Sequence, residues 1–217
     1  MKTNIEPLLP DTFYHIYNRG INGENLFKEE RNYLYFLQKY ALYIEPVAET
    51  YAYCLLKNHF HLLIRTRSEV DILKAKSVIK KEVFVLDEDF LKNEKMASLH
   101  ISNVFASVFK SYAQSINKAH NRTGRLFEEP FRRILVDNDA YFTELIYYIH
   151  HNPQNHGFVK DFRDYPHSSY HAHLRTALTK LKRDDVLNWF GNRNEFEKFH
   201  LGNQNLDNLD KFRIEFD

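Results

Sequence analysis

Apolar positions along this 217-residue chain switch repeatedly between strand and helix spacing. Residues 11–18, DTFYHIYN, are rich in β-branched and aromatic side chains and read as a strand. Arg19-Gly20 ends it, and Asn22-Gly23 offers a turn. Over residues 27–43, Tyr33, Leu34, Phe36, Leu37, Tyr40 and Ala41 recur at helical spacing, and Glu45-Pro46 stops that helix. Residues 49–56 and 59–66 predict two strands, with Lys57-Asn58 as a two-residue hairpin turn. Ile101, Val104, Phe105, Val108, Phe109, Tyr112 and Ile116 define an amphipathic helix over 100–120. Residues 131–137, FRRILVD, predict a strand. Asn138 or Asp139 can cap a helix from 140 to about 151, which Pro153 is expected to close. Residues 67–99 fit no part of this series and read as an insertion with some helix. The tail predicts a short helix around 185–190.

The order strand, helix, strand, strand, helix, strand, helix predicts an α+β fold. Its expected form is a ferredoxin-like (RRM-like) βαββαβ unit: a four-stranded antiparallel sheet with helices on one face, plus one added helix. We expect a main domain over 1–174 and an extension over 175–217 that packs on it or trails from it.

Composition narrows the function classes. The net charge is +1, so binding of nucleic acid would need local patches rather than bulk charge. Aromatic residues reach 15%, which core filling explains first and base stacking second. The lone Cys54 excludes an intramolecular disulfide and suits a reducing, cytoplasmic setting. The first residues do not resemble a signal peptide, and no stretch approaches the roughly 20 apolar residues of a membrane span.

The candidate chemistry lies in two segments. In HFHLLI, strand alternation turns His59 and His61 to one face with Phe60 on the other, their Cα atoms about 6.6 Å apart. Two imidazoles so placed can share a metal ion, although a His-x-His tripeptide alone is more often a pair of hydrogen-bonded residues on a strand. In FTELIYYIHHNPQNHG, Tyr148 and Asn152 stand i, i+4 on one helix face, and Tyr147 and His151 pair on a face turned by about 100°. Core packing of a tyrosine and end-capping by Asn152 are the simpler explanations, but they account less well for the Tyr-His cluster.

These segments together resemble a known family. HFHLLI resembles the HUH motif, and YIHHNPQNHG resembles the tyrosine helix of single-tyrosine HUH transposases. FYHIYNRG, NRTGRLFEEPFRR and YPHSSYHAHL are similar to the REP-associated tyrosine transposase branch, so that the resemblance spans roughly residues 12–174. It implies a ferredoxin-like catalytic domain, a bound Mg²⁺ or Mn²⁺, and cleavage of single-stranded DNA beside folded hairpins. By motif, His59, His61 and Asn152 would be metal ligands and Tyr148 the nucleophile, carrying a 5′-phosphotyrosine intermediate. The phenol, with a pKa of about 10, must lose its proton, and His150 and His151 are the nearest bases in sequence. Relatives include both monomers and homodimers.

Lys118, Arg122, Arg125, Arg132 and Arg133 form the candidate DNA-binding group. Lys74–Lys81 and the set Arg175, Lys180, Lys182 and Arg183 are further basic candidates, and Tyr165, Tyr170 and Trp189 are candidate stacking residues. Two other function classes share parts of the pattern: a non-catalytic single-stranded nucleic-acid binder on an RRM-like sheet, and a metal hydrolase using the His pair with water.

Overall fold

Alternating apolar segments pair into β1 (Phe13–Arg19), β2 (Ala48–Leu55), β3 (His59–Thr66) and β4 (Arg132–Leu135) in this computed structural model. They form one antiparallel sheet in the order β2-β3-β1-β4, as the ferredoxin-like expectation requires. The structure describes residues 5–80 and 94–202. Helix α1 (Glu30–Ile44) joins β1 to β2, and α3 (Glu94–Ala119) leads towards β4. The expected insertion at 67–99 contains α2 (Glu69–Lys80) and the first turns of α3. Lys81, Asp87, Glu88 and Asp89 lie outside the described residues.

One sheet face carries Tyr14, Ile16, Phe60, Leu62 and Ile64. It buries them against Phe36, Tyr40 and Ile44 of α1 and Ile101, Phe105, Phe109 and Tyr112 of α3. Phe60 sits centrally, with ring centroids 5.4 Å from Phe36 and 5.3 Å from Phe109. The other face is also covered. Helix α4 (Asp139–Asn155) lies across it, followed by α5 (Tyr170–Leu174), α6 (Arg183–Trp189) and α7 (Arg193–Leu201). A register shift between Thr50 and Ala52 lets Tyr51 and Ala52 join Leu63 beneath Phe142, Leu145 and Ile146. Val186 of α6 and Phe196 of α7 are buried in that same cluster, so the described part of the C-terminal extension packs on α4. The added helix thus closes the face that an RRM-like binder would leave open.

Both ends of α4 bear on the site. Its first turn is capped by Asn138, whose side chain accepts the Tyr141 N–H at 2.8 Å. Asn138→Ala is expected to cost about 1 kcal/mol, read from the urea midpoint at unchanged m-value. Pro153, expected to close the helix, instead lies inside it, and α4 continues to Asn155. The missing proline N–H deprives one carbonyl of its partner close to the helix end, where the loss is tolerable. The chain then leaves through Gly157 at φ +70°, with His156 N–H donating to the Asn152 carbonyl at 3.0 Å. Asn152 is therefore one turn inside the helix and does not cap it.

The Lys57-Asn58 turn is held from both sides. Leu56 N–H donates to the His59 carbonyl at 2.8 Å and closes the two-residue loop. Gly20 N–H donates to the Asn58 carbonyl at 2.8 Å, and Phe27 N–H to the Lys57 carbonyl at 3.0 Å. A Cβ at Gly20 would meet the Glu24 carbonyl oxygen at 1.9 Å, so this close approach needs glycine.

Candidate metal and nucleophile site

His59 and His61 stand on the sheet face beneath α4, their ring centroids 5.2 Å apart and their planes perpendicular. They are 5% and 0% exposed. Nδ1 of His59 lies 2.8 Å from Asn58 Oδ1, which can only accept, so Nδ1 carries the proton and Nε2 a lone pair. That Nε2 faces Asn152 Oδ1 at 3.2 Å. Asn152 is fully buried, and its Nδ2 has no hydrogen-bond partner. Two lone pairs pointing at one another across a dry gap are unfavourable, and a cation between them turns the opposition into coordination. Without a cation the same amide, turned end for end, can donate Nδ2–H to His59. Nδ1 of His61 lies 3.0 Å from His15 Nε2, which leaves its own Nε2 at the opposite, buried edge of the ring.

Burial pushes His59 down to about 3 and His61 well below its ordinary value, with neighbouring imidazoles adding to both shifts. Both rings are neutral at pH 7, and their lone pairs need no deprotonation before binding a metal. Among the described residues no set of three His, Cys, Asp or Glu side chains stands placed to hold a metal. The third protein donor available to this pair is thus an amide, and the residues present fit a divalent cation held by two imidazoles and Asn152.

Adjacent positions on α4 separate the two tyrosines. The Tyr148 ring presents its edge to His61, centroids 5.5 Å apart, and lies 6.4 Å from His15. Tyr147 turns the other way, stacked on His151 at 3.7 Å and packed against Phe199 at 6.0 Å. His150 also faces that flank: its Nδ1 is 2.9 Å from His200 Nε2 and its Nε2 is 2.7 Å from Ser169 Oγ. His150 and His151 are both engaged away from Tyr148, so the idea that either takes its proton finds no geometric support. His59, His61, Tyr148 and Asn152 do meet, within one chain.

The basic candidates scatter. Arg132 pairs across the sheet with Tyr17, which pairs with His61, so its exposed side chain shares the histidine face. Arg133 points to the opposite face, donates to Ser102 Oγ at 2.8 Å and lies 4.0 Å over the Phe131 ring. Arg125 and Arg133 line a cleft of about 900 Å³ between α3 and the loop before β4. Lys118 is exposed in the last turn of α3, and Arg125 is exposed with Glu129 at 3.6 Å. Arg122 is committed to Glu24 and Asn117 and holds the loop together. In the later basic set, Lys180 pairs with Glu45, Lys182 with Glu49 and Asp185, and Arg183 donates to the Ala172 and Ala177 carbonyls. Tyr165 donates to the Leu55 carbonyl and Tyr170 is buried, both structural roles, whereas Trp189 packs on Phe142 at 4.4 Å and stays 41% exposed.

Four neighbours of the site escaped the motif reading: His15, Tyr17, Asn58 and His156. The His156 ring lies 4.9 Å from that of His59. Tyr148, Asn152 and His156 follow at steps of four, a helical stripe that could have flagged it. His15 and Tyr17 alternate along β1, but only the cross-strand register places them beside His61.

Comparison with known proteins agrees with the motifs. A Haemophilus influenzae protein, provisionally named a REP-associated tyrosine transposase, is 23% identical over 132 residues, covering 60% of this chain. The chain spans 63% of that relative's length. The solved structure of a REP-associated tyrosine transposase bound to a REP hairpin shares the fold, with a TM-score of 0.55 at 14% identity. That match covers 83% of this chain and 89% of the other. The chain is thus similar to REP-associated tyrosine transposases in sequence and in fold. No protein-family model matches it. The transposase resemblance read from the motifs is therefore borne out. Among the described residues no helix is long and apolar enough to cross a membrane.

Proposed function

We propose that this chain is a metal-dependent DNA strand transferase of the single-tyrosine HUH type, acting on single-stranded DNA beside hairpins. The reading rests chiefly on Tyr148 lying edge-on to His61, one helical turn from the Asn152 amide that faces His59. Tyr148 Oη attacks the scissile phosphorus and loses its proton. The bond to the 3′ oxygen breaks, leaving a free 3′-OH and a 5′-phosphotyrosine. Attack by another 3′-OH reverses the step and rejoins DNA without ATP, because the phosphodiester is conserved throughout. Mg²⁺ or Mn²⁺ held by His59, His61 and Asn152 would supply Lewis-acid polarisation of the phosphate, and neutral ligands leave its full charge for that purpose. Arg132, Lys118, Arg125 and Arg133 are the residues offered to hairpin phosphates. A binder that uses an open sheet face is disfavoured because α4 covers it, and a hydrolase gives Tyr148 no task.

The test is a denaturing gel after incubating the chain with labelled hairpin-bearing single-stranded DNA and Mn²⁺. A covalent protein–DNA band is expected, lost on chelation with EDTA. Absence of that band across a wide set of hairpins would sink the proposal.

A further inference from the structure

The contact between His15 and His61 has no part in the chemistry above, yet it decides whether His61 can bind a metal at all. Both side chains are fully buried, and His15 Nε2 lies 3.0 Å from His61 Nδ1. One proton lies between the two nitrogens, and its owner sets the tautomer of both rings. If His61 Nδ1 donates, His61 Nε2 is left with a lone pair at the ring edge opposite His15. If His15 donates instead, His61 Nε2 carries a proton and cannot ligate.

We propose that His15 is a positioning residue: its Nε2 accepts the Nδ1–H of His61 and holds that ring in the metal-binding tautomer. Three observations carry this. His59 already shows the same arrangement, with Nδ1 donating to Asn58 Oδ1 and Nε2 turned to Asn152. The two histidines then present matching Nε2 donors. The His15 ring is held by packing, 5.2 Å from His61 at an interplanar angle of 27° and 5.0 Å from Tyr17. Tyr17 in turn lies 5.9 Å from His61 at 20° and is tilted by 33° to His15, so three packed rings from two strands restrict rotation of the hydrogen-bonded pair. An acceptor on the far nitrogen also makes a ligating imidazole more basic.

The proposal rests on the metal reading for its affinity readout but not for its tautomer readout. Long-range proton–nitrogen correlation spectra of the full chain, ¹⁵N-labelled at histidine and free of metal, report which His61 nitrogen is protonated. The His61 signals are assigned by their loss in His61→Asn. Protonation at Nδ1 is expected, and protonation at Nε2 overturns the proposal. Mn²⁺ affinity is then compared between the wild type, His15→Phe and His15→Gln. Phenylalanine keeps a ring in the stack but offers no acceptor, whereas glutamine keeps an acceptor and loses the ring. Affinity should fall about 10- to 100-fold in His15→Phe and largely recover in His15→Gln. Equal affinity in the wild type and a folded His15→Phe would also overturn it. If His15→Phe does not fold, the wild-type tautomer still decides. A wild-type chain that shows the Nδ1–H tautomer but binds no Mn²⁺ would remove the metal reading and leave the orienting bond standing.

Discussion

Tyr148→Phe is expected to abolish the covalent protein–DNA adduct while hairpin binding and thermal stability stay close to wild type. The change removes one oxygen from a side chain that is 3% exposed and keeps the ring that packs on His61. Its cost to folding should be about that of one hydrogen bond, roughly 1 kcal/mol. On the proposed mechanism cleavage should be lost entirely, because the substitution removes the attacking oxygen. Tyr147→Phe is the decisive companion. Its ring is stacked on His151 at 3.7 Å on the flank facing α7, so its loss should leave the adduct intact. An adduct that survives Tyr148→Phe and vanishes in Tyr147→Phe would reverse the assignment and require α4 to rotate by about 100°.

The second large effect is on stability. His150, His151, His173 and His200 are all buried between α4, α5 and α7. His200 donates its Nδ1–H to the Phe196 carbonyl at 2.8 Å. Its Nε2 can then accept from His150 Nδ1, and His150 Nε2 can accept the Ser169 hydroxyl. That chain of bonds requires neutral rings. Burial holds His200 down to about 3, His151 and His173 down to about 4, and His150 well below its ordinary value. Each folded value is below the unfolded value of about 6.5, so the unfolded chain takes up protons first. Stability is greatest above pH 6.5, declines as pH falls through the interval down to about 4 or 3, and levels off below. At pH 5 each such histidine costs about 2 kcal/mol relative to neutral pH, and four approach the whole stability of an ordinary domain. Urea unfolding in EDTA should therefore show the midpoint falling steeply between pH 7 and pH 5. A midpoint that stays level across that range would contradict the neutral, buried network.

Much of this was legible in the sequence because period-two and period-3.6 patterns depend on local geometry. The bounds of β3, 59–66, follow directly from alternation and the two-residue turn. The shared face of Tyr148 and Asn152 follows from helical repeat. What alternation could not supply is register. Nothing near His15 in the sequence announces that it will sit beside a residue 46 positions later. Arg122 counts as a candidate phosphate contact in the sequence for the same reason, since its partner Glu24 is 98 positions away. Pro153 misled because a proline's cost depends on how near the helix end its lost bond falls. The face taken by α4 was equally hidden, because an amphipathic stripe states that cover is needed without naming what supplies it.

Gly20 has no side chain to offer a phosphate or a metal, yet its amide braces the turn from which His59 projects, and a Cβ there would overlap the Glu24 carbonyl. The imidazole pair is thus held by a backbone position where one extra carbon atom is a lesion. A Gly20→Ala chain would keep His59, His61, Tyr148 and Asn152 and still lose the placement of the first of them, so intact side chains alone do not describe an intact site.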